Sequence, residues 1–234
     1  MANSTGNSVL EDFLSLIYPR YCRGCYGSLV KGEEYICSQC LLEMPRSYYH
    51  LHRENPFYQR LRGRLPVSRV MTLYKFVKES RVQHILHALK YKQQPELGEF
   101  LGRVYGKDLA EADFMDQFDL VVPVPLHITR RRIRGYNQSE TFGRGLADIL
   151  AISCDDTTMQ RLSASDTQTR KSRLSRWANV SQIFSVVKPE RVEGKRVLLV
   201  DDVVTTGATL EACGVSLLEA GCAELSMACI AATQ

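Results

Sequence analysis

Chemistry in this 234-residue chain concentrates first in KRVLLVDDVVTTGATL, Lys195–Leu210. Four apolar residues, Val197–Val200, precede the adjacent carboxylates Asp201 and Asp202, and Thr205, Thr206, Gly207, Ala208 and Thr209 follow. The apolar run predicts a central parallel strand buried on both faces. Its acids then emerge at the carboxyl end, the edge where open α/β sheets bind ligands. Small residues with three hydroxyls and a glycine let backbone amides close around an anion, and a helix starting there adds unpaired N–H groups and its positive end. Neighbouring acids repel phosphate unless they face another group. Vicinal sugar hydroxyls, which donate hydrogen bonds to carboxylates, are such a group, so a sugar phosphate satisfies both halves of the motif.

Two other structures fit part of the same residues. A strand ending in Asp-Asp also opens phospho-accepting receiver domains, but there the pair lies early in the fold, and only 32 residues follow Asp202. A plain threonine helix cap accounts for one hydroxyl and leaves the acids unexplained. Neither G-x-x-x-x-G-K-[ST] nor a G-x-G-x-x-G after a strand is present, which excludes the common nucleoside-triphosphate and dinucleotide loops.

The second group is Cys22, Cys25, Cys37 and Cys40, two C-x2-C pairs separated by eleven residues. Each pair sets two thiolates on a tight knuckle, and together they complete a tetrahedral four-sulfur site suited to zinc. A redox C-x-x-C is the rival, but such motifs are usually single and sit at a strand–helix junction. With four protein ligands the zinc is expected to be structural. Whether the ribbon also touches nucleic acid or only stabilises a small segment is left open by its residues. Arg130, Arg131, Arg132 and Arg134 form a third group, dense enough for a polyanion such as pyrophosphate or a nucleic-acid backbone, or for a solvated basic face.

Around these residues the composition is that of an ordinary globular chain, 44% hydrophobic and 24% charged, with a net charge of +4. No apolar run approaches the ~20 residues of a membrane helix, so no membrane insertion is expected. Glu11 and Asp12 interrupt the short apolar stretch at the start, which argues against a secretory signal. Val9, Leu10, Phe13, Leu14 and Ile17 instead fit one face of a short docking helix. Cys154, Cys213, Cys222 and Cys229 lie singly, a usage that suits a reducing compartment and a cytoplasmic protein.

The elements that must position these groups follow from periodicity. Residues 1–47 read as an N-terminal helix and ribbon, 48–67 as a connector without clear period, and 68–234 as one α/β domain. Strands are predicted at Val70–Phe76, Leu120–Val124, Ile183–Val187, Arg196–Val200 and Glu224–Ala231. Helices are predicted through Val82–Leu89, Leu97–Tyr105, Ser139–Leu150 with Asn137 as a cap, and Ala208–Glu219. Alternation of this kind predicts a mostly parallel sheet flanked by helices. Ser163–Arg176 is polar and irregular, the composition of a lid or of a loose surface connection.

VLLVDDVVTTGATL resembles the 5-phosphoribosyl-1-pyrophosphate (PRPP) motif of type I phosphoribosyltransferases. DLVVPVPLHITRRRIRGYNQSE at 119–140, QTRKSRLSRWANV at 168–180 and the leading C-x-x-C pairs extend the resemblance to the ComF family, ComF/GntX-like competence proteins. That family joins a four-Cys zinc ribbon to a type I phosphoribosyltransferase-like domain. The resemblance implies that Asp201 and Asp202 take the ribose hydroxyls and that Thr205, Thr206, Gly207, Ala208 and Thr209 hold the 5′-phosphate. It implies contact of pyrophosphate with Pro123, Val124 and Pro125, a place for Arg134 in the PRPP site, and a catalytic role for Arg173 beside the two aspartates. Gln168, Arg176 and Asn179 match the same lid block as Arg173, while Ser165 stands where relatives often carry threonine. Mg²⁺ is implied alongside structural zinc, and single-stranded DNA or a DNA-uptake machinery is implied as a partner. No side chain stands out as a general base for an acceptor. Catalytic transfer, PRPP sensing without turnover, and single-stranded-DNA binding all stay open at this point.

Overall fold

The computed structural model describes residues 18–162 and 183–233. In chain order the elements are α1 (Ser38–Glu43), α2 (Pro56–Arg62), β1 (Arg69–Phe76), α3 (Arg81–Tyr91), α4 (Pro95–Glu111), β2 (Leu120–Pro123), α5 (Ile128–Arg134), α6 (Gln138–Leu150), β3 (Ser153–Cys154), β4 (Met159–Arg161), β5 (Phe184–Val186), β6 (Arg196–Val204), α7 (Ala208–Glu219) and β7 (Glu224–Thr233).

Five strands form one sheet in the order β1-β7-β6-β2-β3, with every pairing parallel. This is the expected architecture. Successive side chains of the central strands enter two separate cores, as a strand period of two requires. Leu198 and Val200 join Val121 and Ile230 under α3, α4 and α6. Val197 and Leu199 join Val122 and Met227 under α2 and α7. At the opposite end from the acids, Asp119 accepts hydrogen bonds from the Arg196 amide at 2.8 Å and its guanidinium at 2.6 Å, which ties the start of β2 to that of β6. The arginine pairing holds the Asp119 carboxyl down at about 2.

The α4–α6 contact is unusually close because glycines face it. A Cβ on Gly102 would lie 2.2 Å from the Phe142 carbonyl oxygen, and one on Gly145 would lie 2.0 Å from that of Glu99. The two backbones touch without a side-chain layer between them, and this fixes α6 beneath the sheet.

The ribbon docks on the α3 side, where Cys22, Ile36, Cys40 and Met44 enter the same core. It also reaches β1: Ser47 N donates to Leu73 O at 3.0 Å, and Lys75 N donates to Pro45 O at 2.8 Å.

Two differences from the sequence reading concern local order. The stretch read as a periodless connector contains α2, capped by Asn55, whose side chain accepts from Phe57 N and Tyr58 N, with Pro56 in the first turn. Phe57, Tyr58 and Leu61 bury against α7 and the sheet. The strand expected at Ile183–Val187 exists as β5, yet it pairs antiparallel with β4 and not with the main sheet. The N-terminal helix expected around Val9–Ile17 and the segment from Ser163 to Arg176 lie outside the described residues. Among the described residues no helix is long and apolar enough to cross a membrane.

Candidate functional site

β6 runs four residues beyond Val200, so Asp201 and Asp202 belong to the strand itself, with Asp201 in register with Cys229 of β7. Both are half-buried at the carboxyl edge. Ser139, at the start of α6, donates its hydroxyl to Asp201 Oδ1 at 2.8 Å, and the Asp202 amide donates to the same oxygen at 2.8 Å. Burial, then the adjacent Asp202 charge, pushes the Asp201 carboxyl up to about 7 despite those donors.

Two residues after the strand, the chain turns through Thr205 and Thr206 into Gly207, whose φ of +84° is the left-handed region that glycine occupies without strain. α7 then starts at Ala208. The amides of Thr205, Thr206 and Gly207 donate to no acceptor among the described residues. Thr205, Thr206, Ala208 and Thr209 are exposed. Asp201 and the chain from Val203 to Leu210 enclose a hollow of about 30 Å³. Free amides, exposed hydroxyls and the N-terminus of a twelve-residue helix around one hollow form an arrangement suited chemically to an anion.

The neighbouring strand supports this edge. Pro123 ends β2 in register with Val200, and Val124 N donates to Val200 O at 2.9 Å. Asn137, the cap of α6, donates to Val124 O at 2.9 Å, so Pro123, Val124 and Pro125 are held beside the end of β6.

Three contributions to the site were invisible in sequence. Lys90, in the last turn of α3, places Nζ 2.9 Å from Asp202 Oδ2. Arg60 of α2 donates to Thr205 O at 2.9 Å, and Arg64, just past the end of α2, pairs with Glu211 at 3.0 Å, so α2 and the turn after it brace the loop and the start of α7. Tyr136 donates its hydroxyl to Leu89 O, which anchors the end of α3 beside the α5–α6 turn. Each joins residues far apart in the chain, and nothing local in HALKYK or in YQRLRGR signals it.

Arg134 stands near the same corner. Its guanidinium lies 5.7 Å from the centroid of the Tyr91 ring and donates to Gln138 Oε1 at 2.7 Å. The other members of the arginine run are exposed on α5, a helix with no buried residue. Arg131 is drawn to Glu140 and Asp156, both at 3.5 Å, while Arg130 and Arg132 pair with no carboxylate among the described residues. Arg173, with Gln168, Arg176 and Asn179, lies outside the described residues.

The four sequence-selected cysteines converge at the far end of α3, their sulfurs all within 4.8 Å of one another. Cys25 and Cys37 Sγ stand 3.8 Å apart, close to the edge of a tetrahedron with metal–sulfur bonds of about 2.3 Å. Gly24 N and Cys37 N each donate to Cys22 Sγ at 3.3 Å. Burial pushes the Cys22 thiol up, but these amides bring it down to about 7, whereas burial and the neighbouring sulfurs push Cys40 up. The group can hold a metal ion, and no cysteine is in a disulfide. His84 of α3 joins Nδ1 to Gly24 O at 2.9 Å, so one helix touches both the sulfur cluster and, through Lys90, the aspartate pair.

Residues 120–234 match the phosphoribosyl transferase domain family. The chain is 29% identical over 206 residues to the DNA utilization protein YhgH of Escherichia coli, covering 87% of this chain and 86% of that one. It is 26% identical to Competence protein F of Haemophilus influenzae, over 88% of this chain and 94% of the other. It is also 26% identical to Competence protein ComFC of Bacillus subtilis, over 86% and 79% respectively. A parallel sheet that ends in the DDVVTTGAT loop, a four-cysteine cluster ahead of it and similarity to these competence and DNA utilization proteins along most of its length are consistent with the ComF family of phosphoribosyltransferase-fold proteins.

Proposed function

We propose that the carboxyl edge of β6 holds PRPP and that the reaction class is transfer of its phosphoribosyl group to an acceptor. The observation that carries the reading is the direct succession of a half-buried carboxylate pair and an amide-lined hollow at the start of α7. Asp201 and Asp202 accept hydrogen bonds from the ribose 2′ and 3′ hydroxyls. The amides of Thr205–Gly207 and the hydroxyls of Thr205, Thr206 and Thr209 take the 5′-phosphate. Pro123–Pro125 and Arg134 lie toward the pyrophosphate. In transfer, the C1–O bond to pyrophosphate breaks as the bond to the acceptor forms, and the chain contributes position and charge.

The oxygen donors of the aspartate pair fit magnesium, which when bound with PRPP would neutralise pyrophosphate oxygens. The four-sulfur cluster fits structural zinc. Titration calorimetry with PRPP and Mg²⁺ tests the site, with a dissociation constant in the micromolar range expected. Pyrophosphate release over candidate acceptors then separates an enzyme from a sensor. Binding without release by any acceptor supports sensing, and no binding removes the PRPP reading.

The names of the relatives carry the wider context, one in DNA utilization and two in competence, and we place this chain in the handling of incoming DNA. A specific observation favours direct contact with a single strand: Arg130 and Arg132 are exposed on α5 and pair with no carboxylate among the described residues. Replacing Arg130 and Arg132 with glutamine is expected to weaken binding of an oligonucleotide severalfold and to flatten its dependence on salt by about two charges. A filter-binding series from 50 to 300 mM salt (roughly the range over which counterion release is read) checks this. An unchanged slope removes α5 from the DNA reading.

A further inference from the structure

We propose that Lys90 is the pyrophosphate-facing cation of this site, resting on Asp202 until the ligand arrives. The inference rests on the PRPP reading above and deepens it. Lys90 Nζ lies 2.9 Å from Asp202 Oδ2, with the two side chains 26% and 17% exposed, so the pair faces the open edge of the sheet. An ammonium has three donors. One is spent on Asp202, and the others meet no acceptor among the described residues. The backbone beneath is fixed, since Leu89 is fully buried and its carbonyl accepts from the Tyr136 hydroxyl. Only the four-carbon stem needs to move.

The chemistry of PRPP gives that movement a direction. Its C1 pyrophosphate lies on the same face of the ribose as the 2′ and 3′ hydroxyls. A cation within hydrogen-bond reach of the carboxylate that takes those hydroxyls is therefore beside the pyrophosphate. The 5′-phosphate is at the other end of the sugar, in the loop at the start of α7. Arg134, stacked on Tyr91, the residue after Lys90, adds a second positive group at the same corner. When the hydroxyls engage Asp202, Nζ exchanges a carboxylate oxygen for a pyrophosphate oxygen, and its charge stays compensated throughout. Lysine suits this exchange because it is a point charge on a flexible stem and not a planar fork.

The test compares PRPP with ribose 5-phosphate, which lacks the pyrophosphate and keeps every other group. Binding of both is measured by calorimetry in the wild type, in Lys90→Met and in Lys90→Arg, with thermal melts to confirm folding. Lys90→Met is expected to weaken PRPP about tenfold to a hundredfold, the loss of one charge-assisted hydrogen bond, and to leave ribose 5-phosphate within about threefold. Lys90→Arg is expected to restore part of the PRPP affinity. Equal loss of both ligands, or a gain in both, overturns the proposal, because Lys90 would then serve only the aspartate. A wild-type chain that binds neither ligand removes the PRPP reading and this inference with it. A wild type that binds both while Lys90→Met changes neither removes this inference alone.

Discussion

A chain carrying Asp201→Asn and Asp202→Asn is expected to lose PRPP binding by a hundredfold or more, while melting at the same temperature or higher. The two effects have one cause. A carboxylate accepts a ribose hydroxyl with the strength of a charge-assisted hydrogen bond, and an amide does so more weakly and presents a donor as well. Two such bonds and the seat for a cation vanish together. The ligand-free protein, by contrast, is relieved of a half-buried charge. The Asp201 carboxyl stands at about 7, raised by burial and by Asp202, against about 3.9 in an unfolded chain.

The folded state thus holds the Asp201 proton more tightly than the unfolded state. That contribution to stability is fully present below pH ~4 and is lost as pH rises through about 7. Asp201→Asn alone is expected to stabilise the free protein at pH 8 by roughly 1–3 kcal/mol, less whatever the Ser139 bond loses. PRPP affinity should climb between pH 6 and 8 (on the order of the range set by that raised value) as the carboxylate ionises. Calorimetry and melts at three pH values read both. A double variant that still binds PRPP within threefold of the wild type would sink the site.

The site was legible where it is local. VLLVDDVVTTGATL announced a buried strand, its acids and a helix start because all three depend on neighbours within a few residues. β6, the turn at Gly207 and α7 follow that reading, and the strand merely continues to Val204. What could not be read was contact across the fold. Lys90 reaches Asp202 over more than a hundred residues of chain, and no spacing rule connects HALKYK with DDVV. The α2 helix is a different case. Asn55 before Pro56, with Phe57, Tyr58 and Leu61 on one face, is a cap-and-period signal that the surrounding aromatic and basic residues masked. The glycines of α4 and α6 sit at positions where side chains would spoil helix contact, yet in sequence they read only as weak helix formers.

Substituting Cys40 with serine is expected to have the second large effect, centred on the ribbon. Wild-type protein should contain one zinc per chain by metal analysis, and Cys40→Ser far less. Cys40 and Cys22 are buried in the α3-side core with Ile36 and Met44. Apparent zinc affinities of small ribbons, on the order of 10 kcal/mol, exceed what so few apolar contacts supply. Loss of the metal therefore should unfold residues 20–45 locally. Hydrogen exchange is the discriminating measurement. Amides of Cys22, Arg23, Tyr26 and Met44, all bonded within the ribbon, should exchange rapidly, while those of β6 and β7 stay protected. Full protection of the ribbon in Cys40→Ser would show that the core alone holds it.

The same ribbon has a second consequence through its grip on β1. That strand lies at the margin of the sheet, and its outer hydrogen-bonding groups are occupied at Leu73 by Ser47 and at Lys75 by Pro45. An unoccupied margin with Val70, Met71, Leu73 and Tyr74 along it is a template for pairing with another chain. On the proposed zinc reading, loss of the metal would therefore bare this margin and favour self-association, so a cell short of zinc is expected to meet this protein first as a sticky one.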